Sequence, residues 1–352
     1  LSLHDALPIS LVFRCADNFQ IAYKKVWYMN FDCHQSIKDT IEVFGAPETQ
    51  TPQLNIAWGV DQNFMFGAAV SMSSVLLHNK DISIHFHLFT DYLDSDYRKR
   101  LEKLAKQFST NITVYVMDAE GLKILPCGNA WSHATYFRFI AFEYLSEKID
   151  NLLYIDADVV CKGSLIELTQ INLEHHVAAV IQDVEDSRVY AAQRLNTPEF
   201  NEQYFNAGVI FANLKEWKKQ KFFTEAFSIL LDKTRKFAFL DQDVLNIMFF
   251  GKTIFLPRIY DAIYGIKQEL KSKDTSSYKE YITDDTILIH YIGVTKPWNS
   301  WANYPSAQFF VDAWKASPWA DVPLLPARTP KQYKKKSRHE RLQGKYFASV
   351  IS

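Results

Sequence analysis

Short apolar runs alternate with helix-spaced segments along the first half of the chain. The runs fall at residues 54–58, 83–89, 111–117 and 151–156, and the intervening stretches at 66–77 and 95–108 place apolar residues at helical intervals. In the second of these, Tyr97, Leu101, Leu104 and Phe108 share one face behind a capping Asp94. Runs of this length bounded by turn formers read as buried strands. Strand, helix, strand, helix, strand implies an α/β chain with a largely parallel sheet, because a parallel crossover needs a dozen or more residues to return. Ligands of such sheets gather beyond the carboxyl ends of the strands. The polar residues that follow each run are therefore the candidates: Asp61, Gln62 and Asn63, then Asp91, then Asp156 and Asp158. Apolar segments at 177–181, 207–211, 253–256 and 286–289 offer further strands.

Three D-x-D triplets occur, at 94/96, 156/158 and 241/243. The first stands at a helix start, where acidic caps are routine. Asp156 and Asp158 instead close a strongly apolar strand, where residues two apart in extended chain point the same way. Two ionised carboxylates so placed repel each other unless a cation lies between them. Oxygen ligands favour a hard divalent ion, which commonly shares its coordination with substrate phosphates. Two chemistries use such a pair. The run 152–160, ending D-x-D-x-V, fits a haloacid-dehalogenase-like phosphatase built on Asp156 and Asp158. That chemistry also wants a later acidic pair after a strand, whereas Asp284 and Asp285 precede theirs. The other is metal-dependent glycosyl transfer, in which the pair clamps a divalent ion onto a nucleotide-sugar diphosphate.

Later segments discriminate between them. Residues 204–217 read YFNAGVIFANLKEW, 239–246 read FLDQDVLN and 290–298 read HYIGVTKPW. Together with 60–64, Tyr136-Phe137-Arg138 and Asp156-Ala157-Asp158, these motifs resemble the retaining glycosyltransferases of family 8. Within that family they are most similar to the bacterial enzymes that add glucose or galactose to the lipopolysaccharide core. The resemblance spans residues 54–325, in the family's order. It implies a GT-A-type, Rossmann-like, mixed but mainly parallel sheet flanked by helices. It also implies a UDP-sugar donor, UDP-glucose or UDP-galactose, and a divalent cation, Mn²⁺ or Mg²⁺. Asp156, Asp158 and His290 match the family's metal ligands. Asp61, Asn63 and Phe64 match the uridine-binding positions, and Gly208, Gly293 and Lys296 positions near the donor's sugar and diphosphate. Arg138, Asn206, Asp241 and Gln242 correspond to residues around the reacting sugar, with Gln242 near the anomeric carbon. Val294 departs from the pattern, standing where Pro is common. A GT-A-fold protein that binds without catalysis is the remaining alternative, and the presence of every metal ligand argues against it.

Composition and the chain ends bound the partners. With 352 residues, 48% of them hydrophobic, and 39 basic against 40 acidic side chains, the chain has the material for a large core. The balanced charge excludes a generic nucleic-acid binder. Cysteines at 15, 33, 127 and 161 show neither disulfide-framework nor zinc spacing, and no run reaches membrane-spanning length. Residues 1–10 resemble a translated sequencing-adapter fragment, a non-native leader set aside from fold reasoning; 11–51 read as a lead-in, 52–296 as the catalytic domain and 297–352 as a small helical, aromatic and basic appendage. Within 331–345 stand seven Lys or Arg against one Glu. That run reads either as a solvated tail or as a contact with an anionic membrane surface, and the aromatic stretch 297–319 beside it suits either an interfacial segment or the core of the appendage. The resemblance implies a cytoplasmic enzyme, peripheral on the inner face of the bacterial inner membrane, with a lipopolysaccharide core acceptor.

Overall fold

The structure, a computed structural model, describes residues 32–47, 53–128 and 132–346. The leader at 1–10 lies outside them. Eleven strands are present among the described residues: β1 (Ile37–Val43), β2 (Leu54–Val60), β3 (Ile84–Thr90), β4 (Asn111–Met117), β5 (Asn151–Ile155), β6 (Val159–Cys161), β7 (Ala178–Gln182), β8 (Phe205–Asn213), β9 (Thr253–Phe255), β10 (Ala262–Tyr264) and β11 (Leu288–Tyr291). Eight of them form one sheet in the order β1-β4-β3-β2-β5-β8-β7-β9, and β10-β11-β6 form a second, smaller sheet. β2, β3, β4 and β5 run parallel, as their helical crossovers require, while β8 runs antiparallel between β5 and β7.

Side chains of the central strands alternate between two cores. On β5, Leu153 and Ile155 face one side with Ile56 and Trp58 of β2, whereas Leu152 and Tyr154 face the other with Ala57. The first face is covered by the helices Met65–His78 and Ser95–Phe108, the second by Phe137–Leu145, Phe222–Leu231 and Leu240–Phe249. Asp94 caps the second helix as expected, its Oδ1 accepting from Tyr97 N at 2.7 Å. Burial on both faces explains why these strands read as continuous apolar runs rather than alternating ones.

Two features depart from the sequence reading. The lead-in 11–51 contributes an edge strand, β1, antiparallel to β4. A register shift between Ile37 and Asp39 breaks its alternation, and its outer face is charged, so no period is visible in the sequence. Secondly, the aromatic stretch 297–319 belongs to the main core. Trp298, Trp301, Tyr304, Phe310 and Trp319 are all buried, and the Phe66 ring lies 6.1 Å from Phe310 and 6.5 Å from Trp314. Those rings are therefore packing, with Phe309 and Trp314 half-buried against the same core. The helix Pro330–Tyr346 docks on this layer through the buried His339, hydrogen-bonded to the Tyr304 hydroxyl at 2.7 Å, and Gln343, which donates to Asn303 O at 2.9 Å.

A buried carboxyl ties these parts together. Glu269, on the helix Lys267–Ser272, accepts hydrogen bonds from the Ser306 hydroxyl and from Ser306 N, and burial pushes its carboxyl from 4.5 up to about 7. Between those values the folded state holds a proton that the unfolded chain has released. Its contribution to stability is thus present below the unfolded value and lost as pH rises through the folded one. Glu269→Gln keeps both partners and removes the titration. It is expected to raise Tm over wild type near pH 8, by at most about 3 kcal/mol of stability, and to give no gain near pH 4. Thermal melts across that range check it.

Candidate active site

β2, β3, β5 and β7 end at one rim of the sheet, and β8, running the other way, begins there. The rim is therefore supplied with Asp61 after β2, Asp156 after β5, Asp183 after β7 and Asn206 at the start of β8. The small sheet completes it. β6 follows directly from Asp158 and pairs with β11, which carries His290, and the loop after β11 carries Gly293 and Lys296. Between these elements lies a cleft of about 560 Å³, lined by Asp61, Phe64, Arg138, Asp156, Asp158, Asn206, Asp241, Gln242, His290, Gly293 and Lys296. Of the residues singled out from the sequence, Gln62, Asn63, Asp91 and Gly208 do not line it.

The two aspartates converge by a route the strand argument did not foresee. β5 ends at Ile155, and Val159 N donates to Asp156 O at 3.1 Å, so Asp156 and Asp158 flank a tight turn rather than two positions of an extended strand. The turn is held from both sides: Asp156 N donates to Gly208 O at 2.8 Å and Tyr291 N to Asp158 O at 2.9 Å. Donor atoms of Asp156, Asp158 and His290 all lie within 4.8 Å of one another.

Cations already surround the pair. Asp158 is bonded by the Lys296 ammonium and faces His290 Nε2 at 3.4 Å, while Asp156 accepts from Arg138 Nη2 at 2.8 Å. Burial works to raise the Asp158 carboxyl, but Lys296 and His290 outweigh it and hold the group well below the carboxylate range. At Asp156 burial wins: despite Arg138 the carboxyl is pushed up to about 6, with the neighbouring Asp158 charge adding to the rise. His290 Nδ1 lies 3.1 Å from the fully buried Asp261, whose Oδ2 has no partner among the described residues. A carboxylate behind an imidazole fixes the ring and aims the other nitrogen, as it does at many metal-binding histidines. Two carboxylates and a so-oriented imidazole are a donor set suited to Mn²⁺ or Mg²⁺. Gly208 serves this group from behind, since a Cβ there would stand 2.3 Å from His290 Cε1.

Arg138 links this end of the cleft to the other. Its guanidinium is buried, lies over the Tyr154 ring at 4.5 Å, donates to Ala207 O and pairs with Asp241 Oδ2 at 2.9 Å. Asp241, in the first turn of Leu240–Phe249, also accepts from the Thr135 hydroxyl, so both its oxygens are engaged. Gln242 accepts from Ala207 N at 3.0 Å and donates to Asp183 Oδ2 at 2.8 Å. Asn206 turns its Oδ1 to Gly208 N at 2.8 Å. At the opposite lip, Asp61 Oδ1 accepts from Asn63 N at 2.9 Å, and the Phe64 ring meets Trp298 edge to face at 5.7 Å while keeping a face partly exposed. Gly293 sits at φ +86, a backbone state that side chains disfavour, and Val294 beside it is exposed.

Sequence reasoning missed Asp183, Asp261 and Thr135. Asp183 was within reach, since it follows the apolar run 177–181 at a strand's carboxyl end. Asp261 was not, because it precedes β10, a strand of three residues.

The sequence matches the profile described as Glycosyl transferase family 8 over residues 55–302 and that described as Glycosyl transferase family 8 C-terminal over residues 304–352. It is 41% identical over 330 residues to a lipopolysaccharide 1,2-glucosyltransferase of Escherichia coli, covering 92% of this chain and 97% of that protein. A lipopolysaccharide 1,3-galactosyltransferase of Salmonella typhimurium is 39% identical over 318 residues, covering 89% and 93%. Among solved structures, the galactosyltransferase LgtC in complex with donor and acceptor sugar analogs superposes with a TM-score of 0.60 at 22% identity, over 80% of this chain and 100% of that one, which shows the shared GT-A-like fold. The motif order, the mixed sheet and the match over most of the chain leave no place for the phosphatase reading: the chain belongs to glycosyl transferase family 8.

Proposed function

We propose that the protein transfers glucose or galactose from the corresponding UDP-sugar, with retention, onto the lipopolysaccharide outer core, in a divalent-metal-dependent reaction. The observation that carries this reading is the meeting of Asp156, Asp158 and His290 in one cleft with Lys296 and Arg138. The cleft's size suits a nucleotide-sugar. The relatives that act on lipopolysaccharide match nearly end to end, which supports the acceptor class.

Asp156, Asp158 and His290 would hold the metal, Mn²⁺ or Mg²⁺. When bound, it supplies positive charge for the diphosphate that departs as the sugar–phosphate bond breaks. Lys296 adds a compact cation for the same phosphates, with Gly293 allowing close backbone approach. Asp61 and the open face of Phe64 receive the uridine, with Asn63 N holding the Asp61 carboxylate in place from outside the cleft lining. Asp241 and Asn206 bind donor hydroxyls, and Arg138 sets the orientation of Asp241 while adding positive potential. Gln242 lies beside the anomeric carbon. A neutral amide is a poor nucleophile, and both oxygens of Asp241 are engaged by Thr135 and Arg138. The arrangement therefore favours front-face departure and attack over a covalent glycosyl-enzyme.

Among the described residues no helix is long and apolar enough to cross a membrane. The exposed basic side chains Lys331, Lys334, Arg338, Arg341 and Lys345 form the contact with an anionic lipid surface in this reading, bringing the enzyme to its lipid-linked acceptor on the cytoplasmic side. Because the same helix packs through His339 and Gln343, deleting it would expose core, and point substitution is the cleaner test.

Incubation with UDP-glucose or UDP-galactose, Mn²⁺ or Mg²⁺ and truncated core acceptors should give metal-dependent transfer, and Asp156→Asn/Asp158→Asn should lose about a hundredfold or more in kcat/KM. Metal-independent transfer, or a fully active double variant, contradicts the assignment. Gly208→Ala should push the His290 ring aside and cost about tenfold or more in Mn²⁺ affinity, measured by titration. Substituting Gln at Lys331, Lys334, Arg338 and Arg341 together should abolish co-sedimentation with anionic vesicles at unchanged Tm; unchanged sedimentation contradicts the membrane contact.

A further inference from the structure

Behind Gln242 lies a chain of buried charge that the reading above does not use. Tyr204 and Asp243 have no exposed surface, yet they carry a hydroxyl and a carboxylate. Asp243 Oδ1 accepts from the Tyr204 hydroxyl at 2.6 Å and from Arg194 Nη2 at 2.7 Å, and Oδ2 accepts from Phe239 N at 3.0 Å. Arg194 stacks between rings, 5.2 Å from Tyr190 and 5.8 Å from Phe239. The far end of the chain is Gln242 Nε2, which lies 3.3 Å from the Tyr204 oxygen. Burying an ion pair and a phenol costs more than filling the same space with apolar side chains, so such a network needs a reason other than stability.

We propose that Tyr204 is a positioning residue for transfer, relaying the charge of Asp243 to the Gln242 carboxamide and fixing the direction in which that amide faces the cleft. Tyr204 has one hydroxyl proton, and it is donated in a hydrogen bond to Asp243 Oδ1. The phenol oxygen can then only accept, and Gln242 Nε2 is the donor it receives. The same nitrogen's second proton goes to Asp183 Oδ2 at 2.8 Å, and Oε1 receives Ala207 N at 3.0 Å. Turning the amide over would set its oxygen against the Asp183 carboxylate and its NH₂ against a backbone N–H, leaving every one of these groups unsatisfied. Tyr204 and Asp183 thus pin one end of the amide and Ala207 the other, beside the reacting carbon. Asp243, fully enclosed and with both oxygens engaged, acts through Tyr204 and does not itself reach the donor.

The inference rests on the UDP-hexose transfer proposed above. Tyr204→Phe keeps the ring, which packs 5.5 Å from Phe200, and removes only the hydroxyl. It is expected to lower kcat about tenfold or more with donor KM and the Kd for UDP unchanged, the signature of lost positioning. In a Gln242→Ala background the same change should have no further effect on kcat, because the hydroxyl acts through the amide. Should Tyr204→Phe fail to fold, Asp243→Asn, which keeps the shape and removes the charge, is expected to give the same kcat-only loss and the same loss of coupling. Additive effects in the double variant, or a rise in KM with kcat unchanged, overturn the positioning role. Wild-type protein that turns over no UDP-hexose overturns the functional reading and this inference with it.

Discussion

Two carboxylates set side by side in a cleft, one buried and the other partly so, cannot both stay ionised without positive charge close by, and the architecture of the rim answers that demand. Asp158 is met by Lys296 and His290, Asp156 by Arg138, and His290 in turn by Asp261. Each cation comes from a different element, so the end of the large sheet, the small sheet, the helix Phe137–Leu145 and the loop after β11 must all be in register. Charges of this kind weaken a fold unless they are paired. A site that concentrates them is built for a ligand that brings both signs, as a divalent ion with a diphosphate does.

The antiparallel insertion of β8 between β5 and β7 makes this possible. A wholly parallel sheet would present only strand ends at the rim. With β8 reversed, Asn206, Ala207 and Gly208 enter the rim as a strand begins, and their backbone bonds Asp156 N, the Arg138 guanidinium and the Gln242 amide. Gly208 leaves room for His290 in the same stretch. The strand is buried along its whole length, which gives these contacts a rigid base.

Much of this was legible in the sequence, for physical reasons that also explain the gaps. β2 to β5 are buried on both faces, and burial writes itself as apolar runs. β6 and β10 are three residues each, too short for any period, and β1 carries a register shift that hides its alternation. Asp156 and Asp158 stood out because ionisable residues after an apolar strand are costly, although the turn that joins them was not foreseen. Arg138 could be placed only through family resemblance: an arginine within a helical run reads as a surface charge, and its burial depends on Asp156 and Asp241, distant in sequence. The aromatic stretch 297–319 fitted a membrane surface or a packed core equally well, since both reward rings; tertiary contact with Phe66 and the neighbouring helix decides for the core.

The central claim is that the clustered charges serve a metal shared with a nucleoside diphosphate. Titration of Mn²⁺ into the protein with and without UDP, followed by the paramagnetic resonance of the free ion, tests it most directly. The account predicts one bound ion whose affinity rises by about tenfold or more when UDP is present, because both ligands bind the same charge cluster. Mn²⁺ binding indifferent to UDP, or UDP binding indifferent to Mn²⁺, would contradict it.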